Sequence, residues 1–131
     1  MTIDITKLNR LIDKAKIDIE KNITTQITKL ALAVDQTVVL ATPVDEGRAR
    51  ANWLPSINTK IESPKDRTDK NGSVSIEEMQ ATVSDFKLGD TIFISNNLPY
   101  IGALNDGHSK QAPVGYIEKA VQTAKAALEN G

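Results

Sequence analysis

Between Ile5 and Ala41 apolar residues return every three or four positions: Ile5, Leu8, Leu11 with Ile12, Ala15, Ile19, Ile23, Ile27, Leu30, Val34, Val38 and Ala41. That spacing follows the turn of an α-helix and predicts one amphipathic helix across residues 1–41. No Gly or Pro interrupts it before Pro43, and Thr42, standing ahead of a proline, is driven away from helical angles. At 1.5 Å per residue such a helix would reach roughly 55 Å, more than the width of a domain of this size. Part of it therefore has to project or to pack on another subunit. The period stays near that of a straight helix and lacks strict heptads with charged flanks, so packing on a sheet or in a ring fits better than a two-stranded coiled coil. Thr24, Thr25 and Thr28 are weak helix formers, costing a few tenths of a kcal/mol each, and mark a place for a bend or break.

Beyond the helix the pattern changes. Thr42 to Trp53 is a turn with Asp and Gly that feeds two arginines and the single tryptophan. Trp53, Pro55, Ile57, Thr59 and Ile61 alternate as a strand does, with Pro55 confining it to an edge or a bulge. Residues 62–72 mix basic and acidic side chains with Pro64, Asn71 and Gly72, the composition of a solvated, flexible loop that assembly would order. Ser75-Ile76-Glu77-Glu78 has capping-box spacing and predicts a short helix to about Phe86. Thr91 to Ser95 is β-branched and aromatic, hence a strand, ending at Asn96-Asn97. A polar, turn-rich stretch from Leu98 to Gly115 precedes a final amphipathic helix, Tyr116 to Leu128. The expected fold class is α+β: a long N-terminal helix and further helices packed on a small, mainly antiparallel β-sheet. Length supports one domain, 1–131, because a single core of this size buries roughly two-thirds of the surface of the unfolded chain.

Composition narrows the chemistry. Hydrophobic residues make up 40% of the chain and only Trp53, Phe86, Phe93, Tyr100 and Tyr116 are aromatic, so the core is aliphatic and some burial is expected from neighbours. Sixteen Lys and Arg face seventeen Asp and Glu, which leaves no global basic field to attract nucleic acid. Without cysteine there is no disulfide, thiolate nucleophile or zinc ribbon. The start of the chain has neither a basic stretch nor a continuous apolar run, so a signal peptide is not expected, and no run approaches the ~18 apolar residues of a membrane span. Gly72, Gly89, Gly102, Gly107 and Gly115 stand singly, which gives no phosphate-binding loop. Asp106, His108 and Ser109 suggest a hydrolytic site, but neighbours within one loop rarely adopt nucleophile–base–orienter geometry, and a turn at Asn105-Asp106-Gly107 is the simpler expectation. Asp69, Asn71 and Glu78 copy part of a calcium loop, yet Arg67 stands where the first carboxylate belongs. No catalytic residue, metal or cofactor is expected. Arg48 and Arg50 beside Trp53 could stack on nucleic acid, but with Asp45 and Glu46 adjacent they fit ion pairs within a fold or an interface better.

Two strings go beyond generic turns: Thr-Pro-Val-Asp-Glu-Gly-Arg-Ala-Arg-Ala-Asn-Trp at 42–53, and Ile-Ser-Asn-Asn-Leu-Pro-Tyr-Ile-Gly-Ala-Leu-Asn-Asp-Gly-His-Ser-Lys-Gln-Ala-Pro-Val-Gly at 94–115. Together they resemble the neck and minor tail proteins of tailed bacteriophages, the tail-completion family that includes minor tail protein Z. In that family a long helix leads into a Thr-Pro-Val-Asp-Thr-Gly-Arg type turn. A strand ending Asn-Asn-Leu-Pro-Tyr then precedes a Leu-Glu-x-Gly turn and a Pro-Gly entry to the last helix. Glu46 and Asn105 depart from it, where the family often has Thr and Glu. The resemblance implies a non-enzymatic structural subunit of the head–tail connection in the virion, assembled in the host cytoplasm. It implies a homo-oligomeric, sixfold ring with DNA passing through its lumen. Head-closure or connector proteins and tail-terminator or tail-tube proteins would be its partners. A terminator or head-closure subunit is the nearest alternative, and a small nucleic-acid-binding module is the alternative from another class. The residues expected to carry contacts or shape the motifs are Pro43, Asp45, Gly47, Arg48, Arg50, Trp53, Asn96, Asn97, Pro99, Tyr100, Gly107, Pro113 and Gly115. Among these, Gly47 would take a backbone angle other residues resist, Arg48 and Arg50 would reach a neighbouring subunit, and Trp53 and Leu98-Pro99-Tyr100 would anchor the sheet.

Overall fold

The computed structural model describes residues 5–130. Its elements in order are α1 (Ile5–Ala41), α2 (Arg48–Ala51), β1 (Leu54–Ile57), α3 (Ser73–Ser84), β2 (Ile92–Ser95), α4 (Ile101–Asn105) and α5 (Tyr116–Asn130). This is an α+β architecture: one long helix, several shorter ones and a two-stranded antiparallel sheet.

Helix α1 runs without a break for 37 residues. The threonines expected to interrupt it instead fold their hydroxyls back on the helix, Thr24 Oγ1 donating to Glu20 O, Thr25 Oγ1 to Lys21 O and Thr28 Oγ1 to Thr24 O. Each side chain thereby satisfies itself locally, which removes its pull toward a non-helical alternative. The apolar row of α1 divides into two parts. Toward its C-terminus Val38 and Val39 are fully buried and form a core with Trp53 and Ala120, packed by Val34, Ile76, Ile94 and Ile117. Toward its N-terminus every residue from Asn9 to Ile23 is exposed, including Ile12 at 57% and Ile19 at 59%. The segment from Ile5 to Ile23 spans roughly 28 Å of helix.

Two elements flank the buried end of α1. Helix α5 lies along it, and its small residues Ala120 and Ala124, both buried, let the two helices approach closely. On another side sits α3, whose start at Gly72 is fitted to α1: a Cβ there would stand 2.6 Å from Val39 Cγ1. Strand β1 packs against α3 and pairs with β2 in the register Leu54–Ser95, Pro55–Ile94, Ser56–Phe93 and Ile57–Ile92. The ladder continues one step, Asn58 N donating to Thr91 O at 2.8 Å. Counting back from that bond, residues 56 and 54 also face the partner strand, so Pro55 points its missing N–H outward.

Three expectations need correction. The strand expected through Ile61 stops at Ile57, because Asn58 adopts φ 64° and turns the chain. The Asn58 side chain fastens that turn by donating to Asp90 Oδ1 and accepting from Thr91 N. The capping box at Ser75 does not form, since α3 begins two residues earlier after Gly72. Ser75 is buried, its N–H bonded to Asp69 Oδ2 and its hydroxyl donating to Arg50 O, while Glu78 turns to Arg67 and Lys65. Segment 62–72 has no helix or strand, yet it is tied to the body: Asp69 is buried, and Arg67 Nε donates to Ala51 O at 2.8 Å.

Candidate interaction site

A helix leaves its last carbonyls without intrahelical donors. At the end of α1 these are met by residues of the 42–53 string. Thr42 Oγ1 donates to Val38 O at 2.7 Å. The Arg50 guanidinium spreads over three carbonyls, Nε to Thr42 O, Nη2 to Leu40 O and Nη1 to Lys70 O, all at 2.9–3.0 Å. Its planar fork thus closes α1 and binds the 62–72 segment at once. Trp53 Nε1 donates to Thr42 Oγ1 at 2.8 Å, and the ring is only 7% exposed. Asn52, fully buried, holds the same segment in a two-way bond, accepting from Lys65 N and donating to Lys65 O.

Gly47 shows why its position excludes a side chain. It lies at φ 86°, and a Cβ would stand 2.6 Å from Lys70 N and 2.8 Å from Lys70 Cα, both backbone atoms. Its carbonyl accepts from Ala51 N and Asp69 N, so the turn cannot shift without losing both bonds. Gly47→Ala is expected to lower the unfolding free energy by about 3 kcal/mol, combining left-handed strain with displaced backbone. Chemical denaturation of the purified variant checks this, and a loss below about 0.5 kcal/mol would contradict the packing described.

The 94–115 string folds against the first. Asn96 Nδ2 donates to Ala49 O and Asn97 Nδ2 to Ile61 O, so both asparagines satisfy backbone carbonyls across the fold. Gln111 and the Val44 backbone exchange two bonds, Val44 N to Oε1 at 2.7 Å and Nε2 to Val44 O at 2.6 Å. Asn105 caps α5, its Oδ1 accepting from Ile117 N, while Gly115 N donates to Asn105 O. Gly107 and Gly115 both have positive φ, and at Gly107 a Cβ would meet Val114 Cγ2 at 2.6 Å. Leu98 is buried, but Pro99 and Tyr100 are exposed, so the expected anchor reduces to its leucine. Pro113 is also exposed, on the approach to α5.

Where the strings meet they border a cleft of about 350 Å³. Asp45, Glu46 and Arg48 line one part, Tyr100, His108 and Ser109 another, and Pro43 and Gln111 complete it. Asp45, Glu46 and Arg48 are exposed, and among the described residues none of them makes an ion pair or side-chain hydrogen bond. The cleft therefore offers charged groups of both signs to a partner. His108 and Ser109 of the cleft and the nearby Asp106 are not hydrogen-bonded to one another; Ser109 Oγ instead accepts from Gln111 N. Among the described residues no three His, Cys, Asp or Glu side chains gather to hold a metal ion, and no helix is long and apolar enough to cross a membrane.

One of the two arginines expected to reach a neighbouring subunit is thus engaged inside this one: Arg50 has its donors on backbone carbonyls, which leaves Arg48, among the described residues, as the free cation of the string, while Trp53 lies in the core. A stacking patch of two arginines and an indole is not present on the surface. Sequence reasoning missed Asn52 and Gln111, whose partners lie 13 and 67 residues away along the chain, and gave Asp69 and Ser75 other roles. It also missed Asp35, which is 1% exposed on α1, with Oδ1 lacking any hydrogen bond. Burial, and secondarily the charge of Glu78, push the Asp35 pKa up to about 7. Burial opposes the charge of Glu78 as well, but Arg67 and Lys65 outweigh it and hold that carboxyl below its ordinary range. No family model, curated protein or solved structure matches this chain.

Proposed function

We propose that this chain is a structural subunit of the bacteriophage head–tail connection, a neck or tail-completion ring through which DNA passes. The observation that carries it is the pair of strings at 42–53 and 94–115, whose sequence resembles that family and whose residues fold against each other around one cleft. The exposed N-terminal part of α1 adds support, since a helix with an uncovered apolar row suits a subunit completed by neighbours. The strings do mechanical work in the subunit: they close α1, fix the 62–72 segment and cap α5. Burial of Trp53 and internal use of Arg50 disfavour the nucleic-acid module. A conduit has no need of tight phosphate contacts, which would retard the passing DNA.

Antibody labelling of particles made by the genome that encodes the chain tests this proposal. Label at the junction of head and tail is the expected result; normal joining of heads and tails in its absence would refute it. Within the subunit, Arg48→Glu is expected to reduce incorporation into particles while changing stability by less than about 0.5 kcal/mol, because the side chain is exposed and unpaired. Arg50→Glu is unsuitable for this purpose, since it would open the end of α1 and confound assembly with folding. Quantitative immunoblotting of purified particles, with a denaturation curve of the free variant, checks both halves.

A further inference from the structure

We propose that the exposed apolar row on the N-terminal half of α1 in one copy seats in the groove between α1 and α5 of a second copy. The row consists of Ile12, Ile19, Ile23 and Ile27, whose three- and four-residue multiples keep them on one helix face, and each is at least 36% exposed. An isolated stretch with this many threonines and isoleucines has little reason to hold a helix in water, where helical stability comes mostly from packing an apolar face. A covering surface is therefore required, and every copy carries one that fits.

The groove has a volume of about 400 Å³ and lies where α5 leaves the last turns of α1. Thr37, Leu40 and Ala41 form one wall, and Lys119, Ala120 and Thr123 form the other. Leu40 is 46% exposed there, an apolar side chain left over after the core is built. The α5 helix already receives the apolar row of its own α1 at Val34 and Val38, through Ala120 and Ile117. A second row beside it would extend the same kind of contact into a three-helix arrangement.

Charge bears on this contact. Asp13 and Glu20 each follow a residue of the row, Ile12 and Ile19, and border it on one side with acid, while Lys16 interrupts the row one turn after Ile12 and has to extend its ammonium past the contact into solvent. The groove presents Lys119, which among the described residues has no ion-pair partner. Row and groove are different surfaces of the same chain, so the contact either is reciprocated across a two-fold axis or repeats head-to-tail, the type that closes into a ring or runs on as a filament. The inference rests on the ring reading only for closure; the contact itself follows from the two surfaces.

The chain has no cysteine, which makes disulfide trapping unambiguous. Tagged Ile19→Cys and untagged Thr123→Cys proteins would be mixed and oxidised; both positions are exposed, so neither change should disturb the fold. The expected product is the mixed tagged–untagged dimer. A predominant tagged–tagged dimer would mean that the row pairs with itself, and this would overturn the inference. So would oligomers without the mixed product, or a monomer by sedimentation at high concentration. Lys119→Glu and Glu20→Lys are each expected to weaken association by a few-fold, as rim charges do, and the combination should restore it. Failure of that rescue also counts against the contact. Because labelling of particles decides the location in the virion independently, loss of this contact and loss of the ring reading are separable.

Discussion

Replacing Asp35 with asparagine is expected to stabilise the subunit at pH 8 by on the order of 3 kcal/mol and to remove the fall in stability that the carboxyl imposes as pH rises from 3.8 to about 7. The wild-type carboxyl is almost inaccessible and has an oxygen with no hydrogen bond, so its charged form is disfavoured in the fold. Its folded pKa of about 7 lies above the ordinary 3.8, so the folded chain binds the proton more tightly than the unfolded one. Stability is therefore unaffected well below 3.8, falls as pH rises from there toward 7, and stays reduced above it. Glu78 acts in the opposite sense: its lowered pKa contributes stability present above its ordinary 4.5 and lost as pH falls toward the folded value. Urea denaturation of wild type and Asp35→Asn at pH 4, 6 and 8 measures the difference. Curves that converge at pH 4 and separate by pH 8 are expected, and parallel curves would show that Asp35 is charged in the fold.

Trp53→Ala is expected to cost about 4 kcal/mol, enough to leave many domains of this size unfolded at physiological temperature. The indole fills the centre of the core with Val38, Val39 and Ala120, and no other aromatic side chain takes part in that cluster. Its removal also deprives Thr42 Oγ1 of a donor at the point where α1 ends. Trp53→Phe separates the two effects: it keeps most of the apolar volume and removes the hydrogen bond, for an expected loss of about 1–2 kcal/mol. Because the chain has one tryptophan, its fluorescence reports unfolding in the wild type, and circular dichroism serves for both variants. A loss below about 1 kcal/mol for Trp53→Ala would place the indole outside the core.

The parts of this fold that could be read from the sequence are those with long repeats or strong punctuation. Helix α1 announces itself through about ten turns of helical spacing at 3.6 residues per turn, and ends where Thr42-Pro43 requires. Strand β2 and the start of α5 at Tyr116 follow from β-branched residues and from the Pro113-Val114-Gly115 entry. Helices α2 and α4 have four and five residues, too few to show a period. Ser75 illustrates a different failure: its local spacing fits a capping box, but a buried carboxylate six residues earlier and a carbonyl from α2 take its donors. Arg50 was misassigned for a related reason. An arginine beside acidic residues looks like an interface group until the unpaired carbonyls at the end of α1 are in view. Gln111 reaches across 67 residues to Val44, and no local pattern encodes such a bond.

The outward-facing Pro55 has a consequence wherever many copies of the chain come close together. A sheet of two strands is nearly all rim, and identical rims brought close together tend to zip into continuous, insoluble ladders. Proline deprives the β1 rim of a donor at its middle, so two β1 strands cannot add to each other in regular register. Contact between copies at the β1 rim is thereby left to side chains rather than to the backbone.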